Sequence, residues 1–196
     1  AQLKPGEIAQ IPDVDYVLGQ DEKFAIPEIV EQLEKREGTS CIQTSEIREV
    51  EAFHGAYSKD DRTRCFLKVQ DGCNYFCTYC TIPYARGKSR NPKIAEVVID
   101  AQTALKQGAK ELIITGVNIG DFGRSTGEQF IDLLRAFDQL NGDYRVRISS
   151  CEPNLLTDEI IDFVANSKHF APHFHIPLQS GSNEVLAIMK RRYTRE

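Results

Sequence analysis

Residues 111–150 read ELIITGVNIGDFGRSTGEQFIDLLRAFDQLNGDYRVRISS. Leu112–Thr115 is a short run rich in β-branched residues, and Gly116–Gly127 is a glycine-rich loop. Phe130, Leu133, Leu134 and Phe137 then recur at i, i+3, i+4 and i+7, the spacing that puts all four on one face of a helix. Val146–Ser149 returns to strand-forming residues. Strand, loop, helix and strand in so short a span predict two parallel strands joined by a right-handed crossover.

The same alternation extends outward in both directions. Upstream, Phe66–Val69 reads as a strand. Asn91-Pro92 reads as a helix cap with proline at the first position, followed by an apolar face of Ile94, Val97, Val98, Ala101 and Leu105 that Gly108 stops. Downstream, Thr157 caps a helix carrying Ile160, Ile161 and Val164, and Asp158 and Glu159 sit in its positive first turn. His173–Leu178 reads as a fourth strand, and Ser182 caps a last helix through Val185, Leu186 and Met189. The expected class is α/β, a partial parallel (β/α) barrel of about four units. Four units do not close a barrel, so the sheet is open or the chain continues. Ligands gather at the C-terminal ends of such strands. Here those ends are the loops Gln70–Asn91, Gly116–Gly127, Ser150–Asn154 and Gln179–Ser182.

Residues 1–38 have a different texture. Val14–Leu18 reads as a short strand, and Ile26-Pro27 opens a helix with Ile26, Ile29, Val30 and Leu33 on one face and Gly38 at its end. So few residues do not bury a core alone, about 40 being marginal without staples. They read as the tail of an α/β N-terminal domain. Residues 39–63 lack a sustained helical period, end in breakers and charges, and read as a connector contributing an extended strand. Residues 64–196 form the core domain.

Composition bounds the function. The chain of 196 residues is 41% hydrophobic and 27% charged, with a net charge of −5, which is ordinary globular usage. No apolar run approaches the ~18 residues of a membrane span, so no membrane partner is expected. The charge is uneven: residues 1–62 hold 7 Lys/Arg against 14 Asp/Glu, and residues 63–196 hold 17 against 15. The second part leaves room for a local basic surface.

Of the six cysteines, Cys41, Cys65 and Cys151 are scattered and read as buried small hydrophobes, while Cys73, Cys77 and Cys80 crowd one loop. That crowding does not suit disulfides staples and points to a reducing, cytoplasmic setting with a metal or cluster site. Three thiolates on one loop suit a cubane whose fourth iron has no protein ligand, open to a small molecule. Structural zinc is the alternative. It takes four ligands, and His54 or Cys65 would have to be recruited without finger-like spacing. His169, His173 and His175 lack a convergent third ligand and read as core or hydrogen-bonding residues.

The Cys-x-x-x-Cys-x-aromatic-Cys pattern after a strand resembles the signature of radical S-adenosylmethionine enzymes. The run QDGCNYFCTYCTIPYARGKSRNP (70–92) resembles the methylthiotransferase branch, as do ITGVNIGDFG (114–123), RISSCEPNLLTDEII (147–161) and HIPLQSGSNEVLAIMKRRYTRE (175–196). The short Ala85–Arg90 spacing is most similar to the enzyme acting on threonylcarbamoylated adenosine in tRNA. The isopentenyladenosine and ribosomal-protein enzymes of the same branch, or a non-catalytic zinc-binding RNA module, are the competing readings.

The resemblance implies a 4Fe-4S cluster on Cys73, Cys77 and Cys80 and bound S-adenosylmethionine, with Tyr79 against the adenine. Gly116 and Asn118 would meet the methionine amino group, and Ser149, Ser150, Glu152 and Gln179 would line the same cofactor site. Arg86, Lys88 and Arg90 follow the cluster and are candidates for substrate phosphate or the cofactor carboxylate. Lys190-Arg191-Arg192 reads as a solvated helix end. A second 4Fe-4S cluster is expected only in the full-length protein, on an N-terminal domain whose cysteines are not matched here. The implied partners are a tRNA anticodon loop, whose adenine must be unstacked to react, and an electron donor such as flavodoxin or ferredoxin.

Overall fold

The computed structural model describes residues 1–31, 40–58 and 63–196. In chain order its elements are α1 (Pro5–Ala9), β1 (Tyr16–Leu18), α2 (Ile26–Glu31), β2 (Cys41–Gln43), β3 (Ala56–Tyr57), β4 (Arg64–Lys68) and α3 (Ile82–Arg86). They continue with α4 (Ile94–Lys106), β5 (Glu111–Thr115), α5 (Phe130–Asp138), β6 (Arg145–Ile148), α6 (Asp158–Asn166) and α7 (Asn183–Ile188).

The main sheet has the order β3-β4-β5-β6. β4, β5 and β6 are parallel, and β3 lies antiparallel on the β4 edge. The register sets Cys65, Leu112 and Val146 in one row and Leu67, Ile114 and Ile148 in the next, none more than 3% exposed. Against these rows pack Val97 and Ala101 of α4, Leu133, Leu134 and Phe137 of α5, and Ile160 and Val164 of α6. The α4 and α5 periods therefore bury the faces they predict, while on α6 Ile160 and Val164 are buried and Ile161 is 40% exposed. β5 is central, so Leu112, Ile113 and Ile114 are all buried, which is why it reads as a continuous apolar run. On β4, by contrast, Phe66 points to the uncovered face and is 40% exposed.

Three expectations change. His173–Leu178 does not form a fourth strand: this part of the chain meets β6 and its end only through isolated bridges, Val146 with Phe170 and Ser150 with His175. Pro172 just before the segment and Pro177 within it remove two ladder donors. Helix α4 starts at Ile94 rather than beside Asn91-Pro92, because the Asn91 side chain is spent on the neighbouring loop. The Ile94 amide instead donates to the Glu128 carboxylate, an anion at the positive helix end. On α2, Ile26 and Val30 are 45% and 55% exposed, so the expected apolar face is not covered; Leu33 and Gly38 lie outside the described residues.

Residues 40–58 contribute two strands, one to each sheet. β2 pairs in parallel with β1, Val17 opposite Ile42, and β3 extends the main sheet. No helix among the described residues is long and apolar enough to cross a membrane.

Candidate cofactor-binding site

The loop after β4 is closed at its base before it reaches its cysteines. Asp71 and Arg90 exchange backbone hydrogen bonds of 2.9 and 2.8 Å. The Asp71 carboxylate is 1% exposed and meets Lys68 at 2.8 Å, Arg86 at 3.1 Å and Arg90 at 3.5 Å. Burial alone would raise its pKa; the hydrogen bond and charge of Lys68, the Gly72 amide and Arg86 outweigh that and hold it below the usual carboxylate range. Gly72 has φ +72°, and a Cβ there would collide with the Lys88 carbonyl oxygen, so only glycine lets the two loop arms meet.

Gln70, fully buried, ties this loop to the next. Its Nε2 donates to the Asp71 and Gly72 carbonyls and to Ser89 Oγ, and its Oε1 accepts from the Val117 and Asn118 amides at 2.9 Å each. Gly116 is where this side chain crosses: a Cβ would lie 2.9 Å from Gln70 Oε1 and 2.8 Å from Ile119. The Asn91 side chain does similar work, accepting from the Gly123 amide and Ser125 Oγ, both at 2.9 Å.

Cys73, Cys77 and Cys80 project from this stapled loop, Cys77 buried and the others half-buried. The Cys80 amide donates to the Cys77 carbonyl at 3.0 Å, a tight turn between two of the thiols. Burial pushes the Cys73 thiol up to about 11, with Asp121, Cys77 and Cys80 adding to the effect. No three His, Cys, Asp or Glu side chains among the described residues already converge on one point, so the thiols share a loop but still have to turn together. Their softness and number fit an iron–sulfur cluster. The residues a zinc site would borrow stand apart from the loop: Cys65 lies in the core row of β4, and His54 stacks on Phe24 beside Asp21.

The loops after β5 and β6 and the segment after α7 surround the thiols. Tyr75 hydrogen-bonds Asn154 at 3.0 Å. Arg191, whose side chain is 3% exposed, reaches Cys77 Sγ at 3.1 Å and Tyr79 Oη at 3.2 Å and forms an ion pair with Glu152. Arg192 donates to the Asn74 carbonyl at 2.8 Å and sits 4.2 Å from the Tyr75 ring centre. The Lys190-Arg191-Arg192 run is therefore not a solvated helix end: two of its cations clamp the cysteine loop.

The other expected residues distribute as follows. Tyr79 is 53% exposed beside Cys77 and Cys80. At the end of β5, Asn118 is 3% exposed, and neither its Nδ2 nor its Oδ1 has a hydrogen-bond partner among the described residues, which leaves both for a ligand or water. Ser149 and Ser150 follow β6, and Ser150 Oγ lies 2.8 Å from His175 Nδ1. Gln179 is exposed in a left-handed turn at φ +62°. Arg90 is buried with its guanidinium spent on Asp71 and the Ala52, Arg86 and Lys88 carbonyls, and Arg86 also faces Asp71. Lys88 is exposed and opens onto a cleft of about 550 Å³ that it shares with Asn74, Arg124 and Thr126. Cys65 and Cys151 are buried as expected and Cys41 partly so. His169 stacks on Tyr144.

Residues 67–196 match the model of the Radical SAM superfamily. Among curated proteins, the chain is 42% identical to threonylcarbamoyladenosine tRNA methylthiotransferase MtaB of Bacillus subtilis, over all of this chain and 44% of that protein. It is 41% identical to the protein of that name from Thermotoga maritima, over 98% of this chain and 44% of that one. With tRNA-2-methylthio-N(6)-dimethylallyladenosine synthase of Fusobacterium nucleatum it shares 35% identity, over 96% of this chain and 44% of that one. The chain thus spans less than half the length of these relatives. Among solved structures it resembles the radical S-adenosylmethionine methyltransferase TsrM of Kitasatospora setae, with a TM-score of 0.54 and 21% identity over 66% of this chain and 26% of that one; that likeness speaks to the fold.

Proposed function

The chain belongs to the radical SAM superfamily, and we propose that it is the cluster- and S-adenosylmethionine-binding part of a cytoplasmic tRNA methylthiotransferase. The observation that carries this reading is the stapled loop at the end of β4, which presents Cys73, Cys77 and Cys80 and is tied through Gln70 to the backbone at Asn118. The proposed substrate is a threonylcarbamoylated adenosine beside the anticodon; the identities to the MtaB proteins support it.

A 4Fe-4S cluster with one open iron, when bound, supplies the electron that cleaves the sulfonium of S-adenosylmethionine. The protein's part is to hold and orient. Cys73, Cys77 and Cys80 would carry the cluster. Asn118, with donor and acceptor unspent, suits the zwitterionic end of the cofactor, and Ser149, Ser150, Glu152 and Gln179 lie on the adjoining loops. Tyr79 offers an exposed ring to the adenine. Lys88, exposed at its open cleft, is the residue of the Arg86–Arg90 run we propose meets substrate phosphate. Arg86 and Arg90 serve the loop instead, through Asp71. The unstacked adenine of an anticodon loop matches a site at the end of a sheet better than a duplex would. The second cluster and an electron donor such as flavodoxin or ferredoxin belong to the proposal for the full-length protein.

Anaerobic reconstitution with iron and sulfide tests this. The expected result is a broad absorption near ~400 nm and release of 5′-deoxyadenosine when the protein is reduced with S-adenosylmethionine. A colourless protein that binds one zinc tightly overturns it. Intact protein offered tRNA and ribosomal protein side by side decides the substrate; thiomethylation of the ribosomal protein alone refutes the tRNA assignment.

A further inference from the structure

We propose that Arg191 is a positioning residue that sets the reduction potential of the cluster on Cys73, Cys77 and Cys80. This rests on the cluster reading above and concerns a residue outside the three-cysteine loop.

The guanidinium is held on every side. Nη1 donates to Cys77 Sγ at 3.1 Å and Tyr79 Oη at 3.2 Å, Nη2 pairs with Glu152, and Nε donates to Tyr193 Oη at 3.3 Å. The backbone is equally fixed. Lys190 adopts φ +57°, the Arg191 amide donates to the Leu186 carbonyl at 2.9 Å, and the Thr78 amide reaches back to the Met189 carbonyl at 3.3 Å. Tyr193 in turn donates to the Pro177 carbonyl at 2.8 Å. Swinging the side chain away would break its contacts with Cys77, Tyr79 and Tyr193 and strand Glu152.

A cluster gains an electron on reduction, and the added charge spreads onto its thiolate ligands. A cation that donates N–H to one of those sulfurs favours the reduced form, and in a water-poor setting the effect is larger. Glu152 partly cancels that charge and lets the arginine stay buried. The pair is therefore a two-sided device: Arg191 raises the potential and Glu152 lowers it. A planar fork is needed because one group must serve a sulfur, a phenol and a carboxylate together.

The test is a redox titration followed by electron paramagnetic resonance on the anaerobically reconstituted chain, comparing wild type with R191Q, R191K and E152Q. Thermal unfolding before loading reports the fold separately. R191Q should make reduction about tenfold less favourable, ~59 mV lower for a one-electron couple. R191K should fall between R191Q and wild type, and E152Q should shift in the opposite direction. Opposite signs are what a merely structural role would not produce. Should R191Q fail to load, R191K and E152Q carry the test, and shifts of the same sign or none in both overturn the proposal. A loaded R191Q within twofold of wild type also overturns it. A wild-type chain that takes up no iron refutes the cluster reading of the loop instead.

Discussion

Replacing Asp71 with asparagine should loosen the base of the cysteine loop while leaving its shape almost unchanged. Asparagine keeps the volume and the Oδ1 that accepts from the Gly72 amide at 2.8 Å. What it removes is the negative charge shared by Lys68, Arg86 and Arg90. Arg86 is 42% exposed, so its share is screened and small. Arg90 is 5% exposed and Lys68 is 21% exposed, so the change leaves a buried cation without its counter-charge. Breaking such a pair costs about 3–5 kcal/mol. For a domain of this size that corresponds to a melting temperature lower by at least ~6 °C. The loss should depend on pH in a set direction. Asp71 has a depressed pKa in the folded state. Its contribution is therefore complete above the unfolded carboxyl value of about 3.9 and fades as pH falls through the lower folded value. Urea unfolding of wild type and D71N from neutral pH into this acid range measures both effects, and the two curves should approach each other in acid. A double-mutant cycle with R90M should be strongly non-additive. A D71N protein within about 1 kcal/mol of wild type at neutral pH would refute the reasoning that the loop is held by this charge cluster.

Other outcomes follow from the same site. Gly72→Ala meets both a left-handed backbone and the Lys88 carbonyl and should cost upwards of ~2 kcal/mol, with iron uptake on reconstitution reduced. Gly181→Ala, with open space around it, is the control and should leave both unchanged. Gln70→Leu leaves the Val117 and Asn118 amides and the Gly72 carbonyl without the partner Gln70 gives them in a buried setting. A loss of at least ~3 kcal/mol and weaker S-adenosylmethionine binding in calorimetry are expected, at ~1–3 kcal/mol for each orphaned group. Cys77→Ala should abolish the absorption near ~400 nm, whereas Cys41→Ser, in the separate two-stranded sheet, should keep it.

The cysteine loop, the parallel alternation and the helix faces were legible in the residues alone, because each depends on neighbours within a few positions. Thiol spacing, a period of 3.6 and a capping hydroxyl are local quantities. So Cys73, Cys77 and Cys80, the α5 face and the Thr157 and Ser182 caps all stand where the sequence puts them. Conflicts between local signals were harder to resolve. The segment 173–178 has strand composition, but its prolines outweigh it once a ladder must be built, and Asn91 has the chemistry of a cap yet finds a better partner in the Gly123 amide.

The charged residues show where local reasoning stops. Arg86, Lys88 and Arg90 are indistinguishable as a basic run, and only the fold sends two of them to Asp71 and leaves Lys88 to the cleft. Arg191 looked like a solvated helix end, yet it lies against Cys77, 114 positions earlier, and Glu152, 39 positions earlier. A charge declares its sign in the sequence but not its partner, because Coulomb pairing and burial depend on distance in space. The sequence by itself determined which atoms are present to bind a cluster and its cofactor. The tertiary structure decided which of the cations opens onto a cleft and which hold the loop that carries the cysteines.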